Sequence, residues 1–491
     1  MNIIEIGLVL YSVYIFRRIL FAVFLWQLKE YRFDRMLSHL STSSGRSLFL
    51  NPIEYFKWPI CALSFFTLIY PFPFFLIATP MLFYTVTGFL SLINLFRHKW
   101  KIPVFTVKAL GILEILISLL AINIYIYWFI NGYSLGFLLL ILFDLFILPI
   151  TGVAVLLINI PSDIYKKYIA AKAKGKIERM KNLTVIGITG SIGKTSTKEF
   201  LSKILEAKYK VAKTPASVNT QIGIANFILK DLKDDAEIFV VEIGAYKKGE
   251  IKSICDMVHP NIGIITYIGT QHLELFGSQQ KLISAKYELI KSLPDDGIAF
   301  FNQENEFCRQ LAQTAEDEGR KVVLYGADKE KLKKFPSPNL LGKQTIPNLL
   351  AAIKVAEMLN VSTSQIRNQI KKMKPPHHTM ELVGLYKGAN LIDDTFNTSR
   401  ESVLAALDYM ADYKGAKVLI LSSLIELGNE LDRVKIEVNE KAKQVGARIL
   451  IANKQSPQNA KQEIDSLMNK NSIIIFEGKE AVKYIKYLLD N

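Results

Sequence analysis

The chain has 491 residues, half of them hydrophobic, and 60 Lys and Arg against 45 Asp and Glu give it a net charge of +15. That length suffices for about three domains. Three distant cysteines (Cys61, Cys255, Cys308) with no C-x-x-C pair argue against a disulfide framework or zinc ribbon, and lysines scattered without interleaved aromatics argue against nucleic acid as a partner.

The apolar excess lies before residue 160. Residues 59–77, 78–96, 109–129 and 135–160 are each long and apolar enough to cross a bilayer as helices, and 3–27, interrupted by Arg17 and Arg18, makes a fifth candidate. Lys29, Arg32, Arg35, Arg46 and Lys57 fall in one connection, and Arg97, Lys99, Lys101 and Lys108 in another. A third basic cluster, Lys166 to Arg179, follows the last span, and the two other connections carry no Lys or Arg. The positive-inside rule then puts the amino terminus outside and everything after residue 160 in the cytoplasm of a multi-pass inner-membrane protein, with membrane lipids as partners. Arg17, Arg18, Glu114 and Asp144 are ionisable groups at membrane depth, costly unless paired. Either the arginines snorkel, or they approach Asp144 or Glu114 or hold a lipid phosphate.

From Leu183 a β-branched run leads into Thr189-Gly-Ser-Ile-Gly-Lys-Thr195 and then a helix from Lys194 to Ala207. Gly190 and Gly193 let successive backbone N–H groups face an anion, and the helix N-terminus adds partial positive charge. Lys194 can reach the β- and γ-phosphates and the Thr195 hydroxyl a Mg²⁺ ion. This is a nucleotide-triphosphate cradle in a short G-x-x-G-K-T form. Further strand-like runs at 237–241, 261–266, 297–301 and 321–325 alternate with helical patterns, which implies a parallel α/β sheet. A second alternating set runs from Ala389 onward, with strands near Leu391, Val418, Ile449 and Ile473. The predicted architecture is therefore a helical membrane bundle of about five spans (1–160), a basic juxtamembrane linker (161–182), an α/β P-loop ATPase domain (183–380) and a smaller Rossmann-like domain (381–491).

Several motifs occur in order: G190-S-I-G-K-T195, V218-N-T-Q-I-G223, E242-I-G-A-Y-K-K-G-E250, H272-L-E-L-F-G-S278, A285-K-Y-E288, N302-Q-E-N305, D393-D-T-F-N397 and E426-L-G428. In these the chain resembles the Mur ligases, ATP-dependent amide-forming enzymes of peptidoglycan synthesis, and most closely the branch that adds D-alanyl-D-alanine to a UDP-muramoyl tripeptide. The resemblance spans roughly 183–480. It implies ATP on Thr189, Gly190, Ser191, Ile192, Gly193, Lys194 and Thr195, with Asn302, Asn348 and Asp394 also meeting the nucleotide. It implies two Mg²⁺ ions: Glu242, at a strand end beside Thr195, serves one, while His272 and a carbamylated Lys286 serve the second. Lys194, His272 and Lys286 would be catalytic, and Asn219, Thr220, Asn397 and Glu426 would face substrate. The implied chemistry is attack of a carboxylate on the γ-phosphate, followed by displacement of phosphate from the acyl phosphate by an amine.

The pattern also departs from the family. The family's UDP-sugar-binding domain is missing and the apolar region stands in its place. The segment between Gly326 and Gly342 is short. The G-[RK]-H-N-x-x-N element reads G342-K-Q-T-I-P-N348, the expected Arg is Thr379 in P376-H-H-T-M-E381, and Ser422-Ser423-Leu424 replaces G-D-M. The lysine–glycine–serine element of the family's final strand has no counterpart. The carrier of the muramoyl peptide, UDP or lipid, and the amine, a D-amino-acid dipeptide or another, stay open. A membrane ligase for poly-γ-glutamate, an ATP-driven transporter and a non-catalytic scaffold are the alternatives.

Overall fold

The computed structural model describes residues 3–41, 43–48, 52–69, 75–129, 133–269, 276–326, 335, 342, 345–424, 430–452, 454 and 456–490, in two compact units, 1–167 and 168–491.

The first unit is helical: Ile3–Leu28, Phe33–Ser41, Ser43–Arg46, Pro52–Ile69, Phe75–Phe96, Val107–Phe129, Tyr133–Leu145 and the start of Ile147–Arg179. Among the described residues four helices are long and apolar enough to cross a membrane: Glu5–Leu28, Thr79–Phe96, Val107–Phe129 and Ile147–Arg179. The expected span at 59–77 differs. Its helix starts at Pro52, whose fixed φ suits a first turn, and so takes in Glu54 and Lys57; residues 70–74 lie outside the described set. The expected span at 135–160 is two helices that meet at Phe146, because Pro149 offers no N–H to the carbonyl of Leu145. The second of them continues to Arg179, so most of the expected linker at 161–182 is helix, with Pro161 inside it.

This unit buries charge. Arg18 Nε lies 2.8 Å from Asp144 Oδ1 and Lys57 Nζ 2.9 Å from Asp144 Oδ2, while Glu54 pairs with both cations and the Tyr84 hydroxyl donates to Asp144 at 3.0 Å. Lys57 and Asp144 are fully enclosed. Two cations and two anions cancel, which is how apolar surroundings tolerate them. Of the two alternatives for Arg18, the structure shows pairing with Asp144. Arg17 instead donates to Ser91 Oγ at 3.1 Å, and Glu114 is on the exposed side of its helix.

The second unit contains two sheets. In the first, strands Thr184–Thr189 (β1), Val211–Lys213 (β2), Ile238–Glu242 (β3), Ile262–Ile265 (β4), Ile298–Asn302 (β5) and Lys321–Tyr325 (β6) lie all parallel in the order β2-β3-β1-β4-β5-β6. Period-two alternation sends neighbouring residues to opposite faces. Val185 and Phe301 join one buried layer, and Ile186, Ile188 and Phe300 the other. Both faces are covered by helices, which explains the continuous apolar runs in the sequence.

The second sheet comprises Glu381–Tyr386 (β7), Ala389–Asp394 (β8), Lys417–Leu421 (β9), Ala447–Ile451 (β10) and Ile473–Glu477 (β11), in the order β10-β9-β11-β8-β7. Only β7 is antiparallel, paired to β8. Ile474 and Phe476 face one layer, Ile473 and Ile475 the other. Both sheets aim their strand ends into one cleft, the place where open α/β folds bind ligands.

Candidate active site

The loop after β1 is shaped by glycine. Gly190 has φ of 154°, and a Cβ there would lie 2.1 Å from Thr266 Oγ1 and 3.0 Å from the Tyr267 carbonyl. No other residue fits. Ser191 N donates to Tyr267 O at 2.6 Å, and Gly269 N to Ser191 Oγ at 3.1 Å, so the loop is stitched to the segment following β4. Gly193, at φ 84°, is the N-cap of the helix Lys194–Leu205 and packs under Asn348.

Lys194 Nζ folds back on the loop, donating to the carbonyls of Gly190 (2.8 Å) and Ser191 (3.0 Å), and burial lowers its pKa. Thr195 Oγ1 donates to Glu242 Oε2 at 2.9 Å, and Asn219 Nδ2 to Glu242 Oε1 at 3.1 Å. The fully buried Lys198 ammonium stands 3.3 Å from the same carboxylate. Sequence reasoning missed Lys198, although it sits one turn beyond Lys194 on the same helix face. Thr195 and Glu242 present an oxygen pair beside the loop, the donor type that Mg²⁺ accepts together with phosphate oxygens. One such ion fits them.

Lys286 projects from the helix Gln279–Lys291, whose N-cap Ser278 accepts from Lys281 N. Its amine is buried at the cavity wall. Desolvation, and then the positive charge of Lys194, push its pKa down to about 7. Two residues on, Glu288 accepts from the N–H groups of Gly249 (2.7 Å) and Lys252 (3.1 Å), which fixes the start of the helix Glu250–Val258. A neutral amine is what carbon dioxide needs in order to form a carbamate. His272 and Glu426 lie outside the described residues. Among the described residues no three His, Cys, Asp or Glu side chains gather as a metal cluster.

One cavity of about 1720 Å³ joins these groups. Its walls include Ser191 to Thr195, Asn219, Glu242, Lys286, Asn302 and Asn348 from the first sheet's side, and His378, Asp394 and Asn397 from the second's. The volume exceeds the ~300–1,000 Å³ of an ordinary small-molecule pocket, so a nucleotide would leave room beside it. Asn302 Nδ2 donates to Thr266 O at 2.9 Å at the end of β5, and Asn348 Oδ1 accepts from Thr197 Oγ1 at 3.3 Å. Two candidates point elsewhere. Thr189 is buried under the loop with its hydroxyl on Ile243 O, and Thr220 is the N-cap of the helix Gln221–Lys230.

On the second sheet, Asp394 Oδ1 accepts from Met380 N at 3.1 Å, and Glu477 faces Asp394 across the β8–β11 pairing and accepts from Ser402 Oγ. Burial raises the pKa of both carboxyls; the charge of Asp394 raises that of Glu477 further, whereas the hydrogen bond with Glu477 works the other way on Asp394. His378 Nδ1 sits 2.7 Å from Asp393 Oδ2.

Residues 188–356 match the Mur ligase middle domain. Curated relatives are UDP-N-acetylmuramoyl-tripeptide–D-alanyl-D-alanine ligases. That of Synechocystis sp. is 32% identical over 278 residues, covering 54% of this chain and 60% of the relative; that of Bacillus subtilis is 29% identical over 267, covering 50% and 57%. The chain thus spans about three fifths of the relatives' own length. In fold, the MurF structure from Acinetobacter baumannii superposes with a TM-score of 0.59 at 20% identity, covering 66% of this chain and 81% of that one. The Thermotoga maritima MurF ligase in complex with ADP gives 0.58 at 22%, covering 66% and 82%.

Proposed function

Taking residues 188–356 as a Mur ligase middle domain, we propose that this protein is a membrane-anchored, ATP-dependent acid–amino acid ligase that joins D-alanyl-D-alanine or a related amine to a muramoyl peptide. The observation that carries the reading is the single cavity onto which the phosphate loop, Glu242, Lys286 and the strand ends of the second sheet all open.

In this reading ATP lays its phosphates along Ser191 to Thr195, and Lys194 leaves the loop carbonyls for the phosphate oxygens. Thr195 and Glu242 would hold Mg²⁺, which would neutralise charge on the phosphates. Lys286, as a carbamate, would supply with His272 the donors for a second ion. The substrate carboxylate attacks the γ-phosphorus and ADP leaves. The amine then attacks the acyl phosphate carbonyl and phosphate departs. Most of the rate gain comes from positioning and from charge stabilisation by the loop and Lys194.

The membrane assignment draws support from the four apolar helices and from basic residues on one set of connections, which would leave the ligase in the cytoplasm. Product analysis by mass spectrometry tests the whole. Membranes carrying the full chain receive ATP, D-alanyl-D-alanine and a muramoyl tripeptide in UDP-linked or lipid-linked form. An amide product from either carrier, absent with Lys194→Ala, is the expected result. No product from either, or a product that survives Lys194→Ala, overturns the reading.

A further inference from the structure

His378 has no assigned role, yet its surroundings are those of a proton acceptor. Its Nδ1 is 2.7 Å from Asp393 Oδ2, and Asp393 is itself held: its Oδ1 accepts from Thr395 N (3.0 Å) and Thr395 Oγ1 (2.6 Å). Asp393 is nearly buried, whereas the His378 ring is half exposed and lines the cavity that contains Lys194 and Lys286. A carboxylate on Nδ1 fixes the tautomer that leaves Nε2 with a free lone pair, and it stabilises the imidazolium once a proton arrives. The backbone adds an independent sign. His378 has φ of 62°, a left-handed conformation that side chains rarely adopt and glycine accepts freely. Strain of this kind collects at functional sites. His377, next in the chain, is almost wholly exposed and lies 3.4 Å from Glu381, so it does not share this setting.

We propose that His378, oriented by Asp393, is the general base of the amide-forming step. This rests on the ligase reading above. The neutral amine attacks the acyl phosphate carbonyl, and a C–N bond forms. The surplus N–H proton passes to His378 Nε2 as the C–O bond to phosphate breaks, and the imidazolium later returns the proton to solvent. Formation of the acyl phosphate, which moves no proton, needs no His378.

His378→Gly tests this in the full chain, because glycine suits the backbone and the fold should be kept or strengthened. The first half-reaction is read as ATP- and acid-dependent hydroxamate formation with hydroxylamine, an α-effect nucleophile reactive enough to trap an acyl phosphate without a general base. The second is read as amide formation with the amine substrate. Hydroxamate formation should match that of the unsubstituted protein, while amide formation falls by ~10²–10⁴ and recovers in part with added imidazole. Amide formation that is unchanged, or that falls only in step with hydroxamate formation, overturns the role of His378. If the unsubstituted chain itself makes no hydroxamate with any muramoyl peptide, the ligase reading fails first.

Discussion

Lys194 and Lys286 put two amines on one cavity wall: desolvation first, and then the positive charge of Lys194, hold Lys286 near 7. The folded state releases a proton that the unfolded chain keeps up to the ordinary lysine value of 10.5. Stability therefore rises with pH between about 7 and 10.5, and is flat below that window. Lys286→Met should remove this slope, measured as the difference in Tm between pH 7 and pH 9.5. In the same window phosphate release should increase with added bicarbonate and be lost in the variant; indifference to bicarbonate would count against the carbamate.

Glu242 answers both Thr195 and the enclosed ammonium of Lys198. Glu242→Ala leaves that cation the more distant Glu199 carboxylate at 3.6 Å and the Pro215 carbonyl at 3.3 Å, and should cost about 1.5–3 kcal/mol in denaturant titration. Thr195→Val removes one hydrogen bond, about 1 kcal/mol, while abolishing Mg²⁺-dependent nucleotide binding by calorimetry. Equal stability losses in the two would show that Glu199 and Pro215 compensate Lys198 fully.

Gly190 and Gly249 both have positive φ, but only the first is crowded; around Gly249 nothing lies within 4 Å of a built Cβ. Gly249→Ala should cost only the left-handed penalty of about 1–2 kcal/mol and leave nucleotide affinity alone. Gly190→Ala should eliminate ADP binding, because the loop must move to clear Thr266.

Glu477 and Asp394 have raised pKa values in the fold, so their penalty is absent at low pH and grows as pH climbs past the ordinary carboxylate range. Glu477→Gln should raise Tm at pH 8 and change little at pH 4.5. A gain of the same size at both would assign the effect to packing.

In the helical unit, Asp144→Asn leaves Arg18 and Lys57 sharing Glu54 alone, and should lower stability in detergent by about 3–5 kcal/mol. Adding Lys57→Met restores neutrality and should recover part of the loss, a coupling that a double-mutant cycle measures directly.

The phosphate loop was readable because its chemistry is local: a strand, two glycines and a helix start within a dozen residues. The strands of the first sheet were readable as short β-branched runs, buried on both faces. Two strands were missed. β2 is three half-buried residues at an edge, and β7 is an antiparallel partner with little alternation. Site groups made by distant contacts were also out of reach. His378 and Asp393 are brought together only when β7 pairs back on β8, and Lys198 shows its partner only once β1 and β3 lie side by side. Asp144 lies 126 residues from Arg18, and no spacing rule links them. Glu54 and Lys57 joined that cluster because their helix began earlier than hydropathy suggested.

A cavity whose walls come from two sheets changes width when one sheet moves against the other. The chain crosses between the sheets just before β7, where Met380 is tied to Asp394 and both His378 and Met380 are left-handed, so any widening must work against that crossing.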